Sequence, residues 1–169
     1  RTSQAIQNIA IHADPYHEVH TAINSSVVVF KELTLPFLEH DKIKMVLNYE
    51  VEPLLPFPVS QAVVDFIITK QNQQEKTSTV MVAAVLKEHL AQCVSMFAQA
   101  GVDPQVVTVD LFALYGLYKI IPEYMTETQD VALVDFGVHA TRIAFITEGQ
   151  LKFIRTLPKG LLNIAKGIG

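Results

Sequence analysis

The chain has 169 residues, of which 50% are hydrophobic and 18% are charged, and its formal net charge is -4. This composition is typical of a folded chain with one domain or two small ones, and it excludes a disordered chain. The sequence contains no dense block of Lys and Arg, so we do not expect direct binding to nucleic acid or to an anionic membrane. No apolar run is long enough to insert across a membrane.

One cysteine, Cys93, is present, and it cannot form a disulfide within the chain. A reducing cytoplasm is therefore the simplest location, and the place of Cys93 on the apolar face of a predicted helix favours a buried thiol over a nucleophile. The chain begins at Arg1 rather than Met and stops at Gly169, where a further helix is expected to begin. We therefore interpret the sequence as a fragment of a longer protein.

The first half of the sequence predicts a short helix and then elements in the order strand, helix, strand, strand. Apolar spacing and turn residues place the first helix over 2–11, strands over 19–23 and 27–35, a helix with Asp41 as its N-cap, and strands over 62–69 and 79–85. The last of these runs is continuously apolar, so we expect a central strand that is covered on both faces. Together these elements predict a compact α+β unit.

The middle of the sequence predicts two more helices. One runs over 87–100 and is closed by Gly101, because glycine readily adopts the left-handed backbone of a helix end. After a short strand over 106–109, Asp110 is expected to cap the second helix. Its expected core residues are Leu111, Leu114, Leu117, Tyr118 and Ile121. Pro122 ends this helix, and the polar segment 123–130 is interpreted as a boundary.

The stretch from Asp130 to Arg155 predicts a strand, a tight turn and two further strands. The first strand ends in Asp135-Phe-Gly137, and Thr141 follows. Gly137 allows a ligand to approach the backbone closely, and the carboxylate of Asp135 could orient a hydrated Mg²⁺. A phosphate-binding hairpin and an ordinary hairpin with a glycine at its corner both explain the pattern. The motif is short, so these residues alone favour the ordinary hairpin.

Other candidate sites are weaker. The histidines have neither the spacing nor the cysteine partners of a zinc site, and the sequence contains no Walker loop, nucleophile elbow or His-Glu-x-x-His motif. The apolar corner Leu54-Leu55-Pro56-Phe57-Pro58 could be an exposed docking surface. A helix end packed into the core explains it at least as well.

Three segments, in order along the chain, resemble the type IV pilus assembly protein family PilM. The first is Asn48-Tyr-Glu50-Val-Glu52-Pro-Leu-Leu-Pro56-Phe57, followed by Asp65-Phe66 on a predicted strand. The second is Phe97-Ala-Gln-Ala-Gly101, followed by Val109-Asp110-Leu-Phe-Ala-Leu. The third is Asp135-Phe-Gly137 through Thr141, followed by Glu148-Gly149-Gln150 and Leu157-Pro-Lys-Gly160. The resemblance covers nearly the whole chain, and it exceeds the resemblance to the secretion protein GspL or the division protein FtsA.

The resemblance implies an α/β fold, a fragment of the actin-like ATPase (ribonuclease H-like) fold that contains an inserted strand-helix-strand-strand (SHS2-type) subdomain. Residues 1–15 would end a helix of the first half, and residues 16–104 would form the insert, which is the 1C-like subdomain. Residues 105–124 would return to the first half (1A-like), and residues 125–169 would open the second half (2A-like) with the second phosphate motif. Phe136 replaces the Ile that is more usual in the family, and we expect it to be a core residue.

The resemblance also implies a nucleotide site. Asp135, Gly137 and Thr141 fall on the second phosphate motif, so the backbone amides of residues 137–140 would meet the nucleotide phosphates. ATP and Mg²⁺ are expected in the full-length protein. Neither is expected to bind the fragment, because half a cleft cannot hold the reacting groups in place. We therefore expect no catalytic activity from this chain.

The function that the resemblance implies is a cytoplasmic scaffold of the type IV pilus or a related secretion machine, peripheral to the inner membrane. Its expected partner is the cytoplasmic N-terminal tail of a PilN-like membrane protein, with Leu54, Leu55 and Phe57 as partner-binding residues. Other platform proteins and a second copy of the chain are further expected partners. The alternatives are an active actin-like ATPase or small-molecule kinase, a GspL-like adaptor of type II secretion, and an FtsA-like filament protein.

Overall fold

The computed structural model describes residues 2–13, 17–121, 123 and 130–167. In this part of the chain the helices are α1 (Thr2–Ala13), α2 (His40–Val51), α3 (Lys87–Gln99), α4 (Asp110–Ile120) and α5 (Leu161–Gly167). The strands are β1 (His20–Ile23), β2 (Val28–Leu35), β3 (Ala62–Asn72), β4 (Thr77–Leu86), β5 (Val106–Val109), β6 (Val131–Phe136), β7 (Thr141–Thr147) and β8 (Gln150–Leu157). The predicted order of helices and strands is confirmed. The segment expected to be a boundary, 123–130, lies almost entirely outside the described residues.

The strands that the structure describes form three sheets. Strands β2, β4 and β3 form an antiparallel sheet in that order, β6, β7 and β8 form a second antiparallel sheet, and β1 pairs with β5 in parallel. As predicted, the continuously apolar strand is central, and Val80, Val82 and Ala84 on it are fully buried. One face of β4 packs on α2, and its other face packs on α4, β7 and β8 through Met81.

Helix α2 packs on the β2-β4-β3 sheet through a stripe at four-residue spacing, Ile43, Leu47 and Val51, which are all buried. The prediction that Asp41 is its N-cap is wrong. Glu39 holds the extended backbone of the cap position, and Asp41 lies in the first helical turn. An acidic residue is favourable at either place, because both lie at the positive end of the helix dipole. Sequence spacing alone therefore does not separate them.

The predicted buried face of helix α4 is confirmed in part. Its buried residues are Leu111, Tyr115 and Tyr118, whereas Leu117 is 50% exposed. The Tyr115 hydroxyl donates a 2.9 Å hydrogen bond to the carbonyl of Gly149 in the β7–β8 turn. A tyrosine can be buried when its polar tip finds a partner, and this partner lies far away in the sequence. The buried face therefore includes Tyr115, which was not predicted, and leaves out Leu117.

The parallel pairing of β1 and β5 determines the chain's organisation. His20 lies opposite Val106 and Ile23 lies opposite Val109, so the whole unit from β2 to α3 separates two adjacent strands. Within that unit β2, α2, β3 and β4 have the predicted strand, helix, strand, strand order. The predicted boundaries at residues 16 and 104 stay predictions. Strand β1 lies between these two boundaries, whereas its partner strand β5 lies after residue 104.

Candidate functional site

The turn after β6 contains the predicted phosphate motif. Asp135 lies opposite Arg142 in the β6–β7 register, and the Arg142 Nη1 donates a 2.7 Å hydrogen bond to Asp135 Oδ2. The N–H of Gly137 donates to the carbonyl of Ala140 at 3.0 Å and closes the turn. The predicted carboxylate and the predicted backbone amide therefore both have partners within the hairpin.

Arg142 also contacts two earlier segments of the chain. Its Nε lies 2.9 Å from Asp110 Oδ2 and 3.3 Å from Asn24 Oδ1. The other Asp110 oxygen accepts hydrogen bonds from the N–H groups of Ser25, at 3.1 Å, and Leu111, at 2.8 Å. The Arg142 side chain is only 12% exposed, so this guanidinium joins α4, the β1–β2 connection and the β6–β7 hairpin in a partly buried network.

Sequence reasoning missed Arg142 and assigned Asp110 only as a helix cap, whereas Val109 holds the cap position and Asp110 is the first helical residue. A signal for Arg142 was present, because strand alternation places it on the same face of β7 as the buried residues Ala144 and Ile146. A charged residue on the buried face of a strand requires a partner of opposite charge. The identity of that partner could not be read from the sequence, since Asp110 lies on a separate element.

Two glycines bring the phosphate turn against the last helix. A Cβ on Gly137 would lie 2.8 Å from Ala140 O and from Arg142 Nη1, and a Cβ on Gly160 would lie 2.6 Å from Val138 O. The first N–H groups of α5 donate to the turn, at 3.0 Å to Gly137 O and at 3.1 Å to Val138 O. No side chain fits in either space, so this close packing requires glycine at both positions.

Thr141 is the third predicted phosphate ligand. Its side chain is buried, and its hydroxyl donates a 2.8 Å hydrogen bond to the carbonyl of Lys159. The structure thus brings Asp135, Gly137 and Thr141 together at one turn, but each is already engaged within the protein. Asp135 remains 37% exposed, and Mg²⁺ takes few carboxylates from its protein. ATP and Mg²⁺ stay predictions, in which this carboxylate would orient the waters of the cation.

The network is also anionic as a whole, since Asp110 and Asp135 share the single guanidinium of Arg142. The hydroxyl of Ser25 is buried beside it without a hydrogen-bond partner among the described residues. Those residues contain no group of three or more His, Cys, Asp and Glu side chains that could hold a metal ion. A cation bound at Asp135 would therefore need further ligands from outside these residues.

A second candidate site is an apolar groove between the β2-β4-β3 sheet and strand β5. It has a volume of about 320 Å³, and most of its wall is aliphatic or aromatic. Its lining residues are Ile23, Val28, Val63, Asp65, Phe66, Ile67, Ala83, Val85, Leu90, Val107, Thr108, Val109 and Phe112. In the described residues β3 pairs only with β4 and β5 pairs only with β1, so the groove lies beside two open strand edges.

The predicted partner corner lies apart from this groove. Leu54 is 42% exposed, whereas Leu55 is half-buried and packs against the core under α2. Phe57 is also half-buried. None of the three lines the groove. The corner is thus partly a helix end packed on the core and partly an exposed leucine, and its role in partner binding stays a prediction.

Two further residues expected to be buried differ in outcome. Cys93 is buried in α3, and burial raises the pKa of its thiol, which disfavours the reactive thiolate. Phe136 was expected in the core, but it is 58% exposed. The alternation of β6 directs Leu133 and Asp135 inward and Phe136 outward.

Among the described residues, no helix is both long and apolar enough to cross a membrane.

Solved structures confirm the predicted fold. A chain of a PilM-PilN type IV pilus biogenesis complex matches with a TM-score of 0.83 and 23% identity, over 99% of this chain and 50% of that one. The cytoplasmic domain of EpsL, an inner-membrane component of the type II secretion system of Vibrio cholerae, matches with a TM-score of 0.60 and 14% identity, over 92% of this chain and 56% of that one. The chain thus spans about half the length of these structures and has part of the actin-like ATPase fold.

The family follows from the sequence itself. The family model described as type IV pilus assembly protein PilM matches residues 3–168, which is nearly the entire chain. The matched residues include Asp110, Asp135 and Arg142 and all the residues that line the apolar groove. The chain belongs to the type IV pilus assembly protein PilM family.

Proposed function

We propose that the intact protein is a cytoplasmic scaffold of a pilus-assembly platform at the inner membrane, and that it binds the cytoplasmic tail of a PilN-like membrane protein. Family membership supports the role in pilus assembly. A structure with a similar fold comes from a complex of PilM with PilN, and this supports the choice of partner. The proposal gives the chain no catalytic step.

The groove beside β3 and β5 is the observation that carries the proposal. Its volume of about 320 Å³ is at the lower end of the range for ligand pockets, roughly 300–1,000 Å³. Extended peptides bind well beside open strand edges, because the main chain supplies hydrogen bonds and alternate side chains enter apolar pockets. Val63 is 40% exposed at this site, so apolar area is available to a partner.

Two matched variants test the site. Val63 in the groove and Leu54 in the corner are 40% and 42% exposed, so Val63→Asp and Leu54→Asp place a charge at similar exposure on different surfaces. Labelled PilN-tail peptide is titrated against the full-length protein and both variants. We expect Val63→Asp to abolish binding and Leu54→Asp to preserve it. The opposite result would favour the corner, and the absence of wild-type binding at high micromolar peptide would reject the proposal.

A second candidate function is nucleotide binding, favoured by the 37% exposure of Asp135 beside the Gly137 turn. Titration calorimetry of the full-length protein with ATP and Mg²⁺, beside an Asp135→Asn variant, tests it. We expect the variant to bind more weakly, because the neutral amide orients a hydrated cation less well. Equal binding by both proteins would remove Asp135 from the site.

A further inference from the structure

Asp65 is the one charged residue among those that line the apolar groove. It lies opposite Ala83 in the β3–β4 register, on the same face of the sheet as Val63 and Ile67. Strand alternation therefore directs its carboxylate toward β5 rather than toward α2. Ala83 is the residue opposite it, and Thr108 is the other polar residue that lines the groove.

The carboxylate of Asp65 has no cationic partner among the residues that the structure describes. Its Oδ1 accepts a 2.9 Å hydrogen bond from the N–H of Phe66, which leaves the second oxygen available. A charge on a mostly apolar wall is costly when a bound peptide removes the remaining water, unless the peptide supplies a cation. The groove therefore selects against a wholly apolar or acidic segment.

We expect the cytoplasmic tail of the proposed partner to carry positive charge, which is complementary to Asp65. Cytoplasmic segments close to a membrane-spanning helix carry an excess of Lys and Arg. An extended segment of such a tail, laid along β3, would present side chains alternately toward and away from the groove. One basic side chain at the position opposite Asp65 would neutralise the carboxylate, while its neighbours fill the space beside Val63 and Ile67.

We propose that Asp65 determines partner specificity, by forming an ion pair with one Lys or Arg of an otherwise apolar, extended segment of the partner. This inference rests on the proposed binding of a PilN-like tail in the groove. It adds the requirement that the bound segment carries one basic residue, which the shape of the groove alone does not impose.

A competing explanation is that Asp65 protects an edge strand. Inward-pointing charges on edge strands prevent unwanted pairing with other chains, and β3 is an edge strand of its sheet. In that case neutralising the charge would promote self-association and leave binding of the peptide unchanged. The two explanations therefore differ in both affinity and oligomeric state.

The test is a charge-swap cycle on the full-length protein. Wild type, Asp65→Asn and Asp65→Lys are titrated with the labelled PilN-tail peptide and with peptides in which each Lys or Arg is replaced by Gln or Glu. We expect Asp65→Asn to weaken binding of the wild-type peptide about tenfold. One of the Gln substitutions in the peptide should weaken binding to the wild-type protein to the same extent, and combining the two changes should weaken it no further. We expect that peptide's Glu version to bind Asp65→Lys better than it binds the wild type.

The control variant is Asp41→Asn, which removes a fully exposed carboxylate on α2 and should leave affinity unchanged. Unaltered affinity of Asp65→Asn, with binding still lost in Val63→Asp, would overturn the role of Asp65 while keeping the groove. Self-association of Asp65→Asn at unaltered affinity would identify edge protection instead. Failure of the wild type to bind any peptide would reject the proposed function itself.

Discussion

Arg142 Nη1 lies 2.7 Å from Asp135 Oδ2, directly across the β6–β7 pair. The carboxylate with the strongest sequence signal for a phosphate site is therefore one end of an ion pair. A hydrated Mg²⁺ approaching Asp135 would have to share it with the guanidinium or displace it. The predicted nucleotide site would thus depend on Arg142, a residue outside the Asp-x-Gly motif.

Loss of the Arg142 guanidinium should destabilise the protein. We expect Arg142→Ala to lower the free energy of unfolding by about 2 kcal/mol, because it leaves both Asp110 and Asp135 without their cationic partner. The estimate is below that for a fully buried pair, since both carboxylates keep some exposure. Arg155→Ala on β8 is the control, because among the described residues Arg155 contacts a backbone carbonyl and the Phe153 ring but no carboxylate. Urea denaturation that gives equal values for both variants would contradict this role.

The two glycines at positions 160 and 116 should respond in opposite directions to alanine. Gly160→Ala places a Cβ 2.6 Å from Val138 O, so we expect a loss of about 1–3 kcal/mol and a shift of α5 away from the turn. Gly116 lies inside α4 with no atom within 4 Å of an added Cβ, so Gly116→Ala should gain about 0.5–1 kcal/mol. Thermal unfolding of the two variants measures both effects, and a stabilised Gly160→Ala protein would contradict the close packing.

Tyr115 should make the free energy of unfolding decrease as the pH rises into the alkaline range. Burial raises the pKa of its hydroxyl above the ordinary value of 10.0. Between the unfolded and the folded pKa the unfolded state loses this proton and the folded state keeps it, so stability falls as the pH rises. Below that window the contribution is fully present.

We expect the free energy of unfolding of the wild type to decrease more than that of Tyr115→Phe between about pH 9 and about pH 11. The variant should cost about 1 kcal/mol at neutral pH, because it loses the hydrogen bond to Gly149 O. Parallel pH profiles for the two proteins would show that Tyr115 titrates as it does in water.

Cys93 should be unreactive in the folded protein. Burial raises the pKa of its thiol and blocks access to it, so alkylation at mildly alkaline pH should be slow. In concentrated urea the same cysteine should react at the rate of a free peptide thiol. Since the sequence contains only one cysteine, mass spectrometry reads this reaction directly. Rapid alkylation without denaturant would place Cys93 at an accessible surface.

Local patterns in the sequence predicted most of the fold. Strand β4 was recognisable because its apolar run is continuous, and α3 because Gly101 follows it with a φ of +73° that few other residues adopt. Tyr115 was missed on the buried face of α4 because its burial depends on a carbonyl in a distant turn. Apolar periodicity carries no information about such partners.

The candidate sites divide in the same way. The Asp135–Gly137 turn follows from neighbouring residues, so the sequence could indicate it. The groove and the Arg142 network depend on which elements pack together. In the sequence, Asp65 is therefore indistinguishable from an ordinary strand residue, and Asp110 from an ordinary helix cap. The exposure of Phe136 follows from strand register, which becomes clear only when Asp135 is seen opposite Arg142.

The pairing of β1 with β5 has a consequence for how the chain folds. These two short strands are neighbours in space, but the entire unit from β2 to α3 lies between them in sequence. Bringing their ends together through a disordered segment of that length would carry a large entropy cost. A unit that is already folded holds its two ends at a fixed separation and removes most of that cost. We therefore expect the unit from β2 to α3 to fold before β1 pairs with β5.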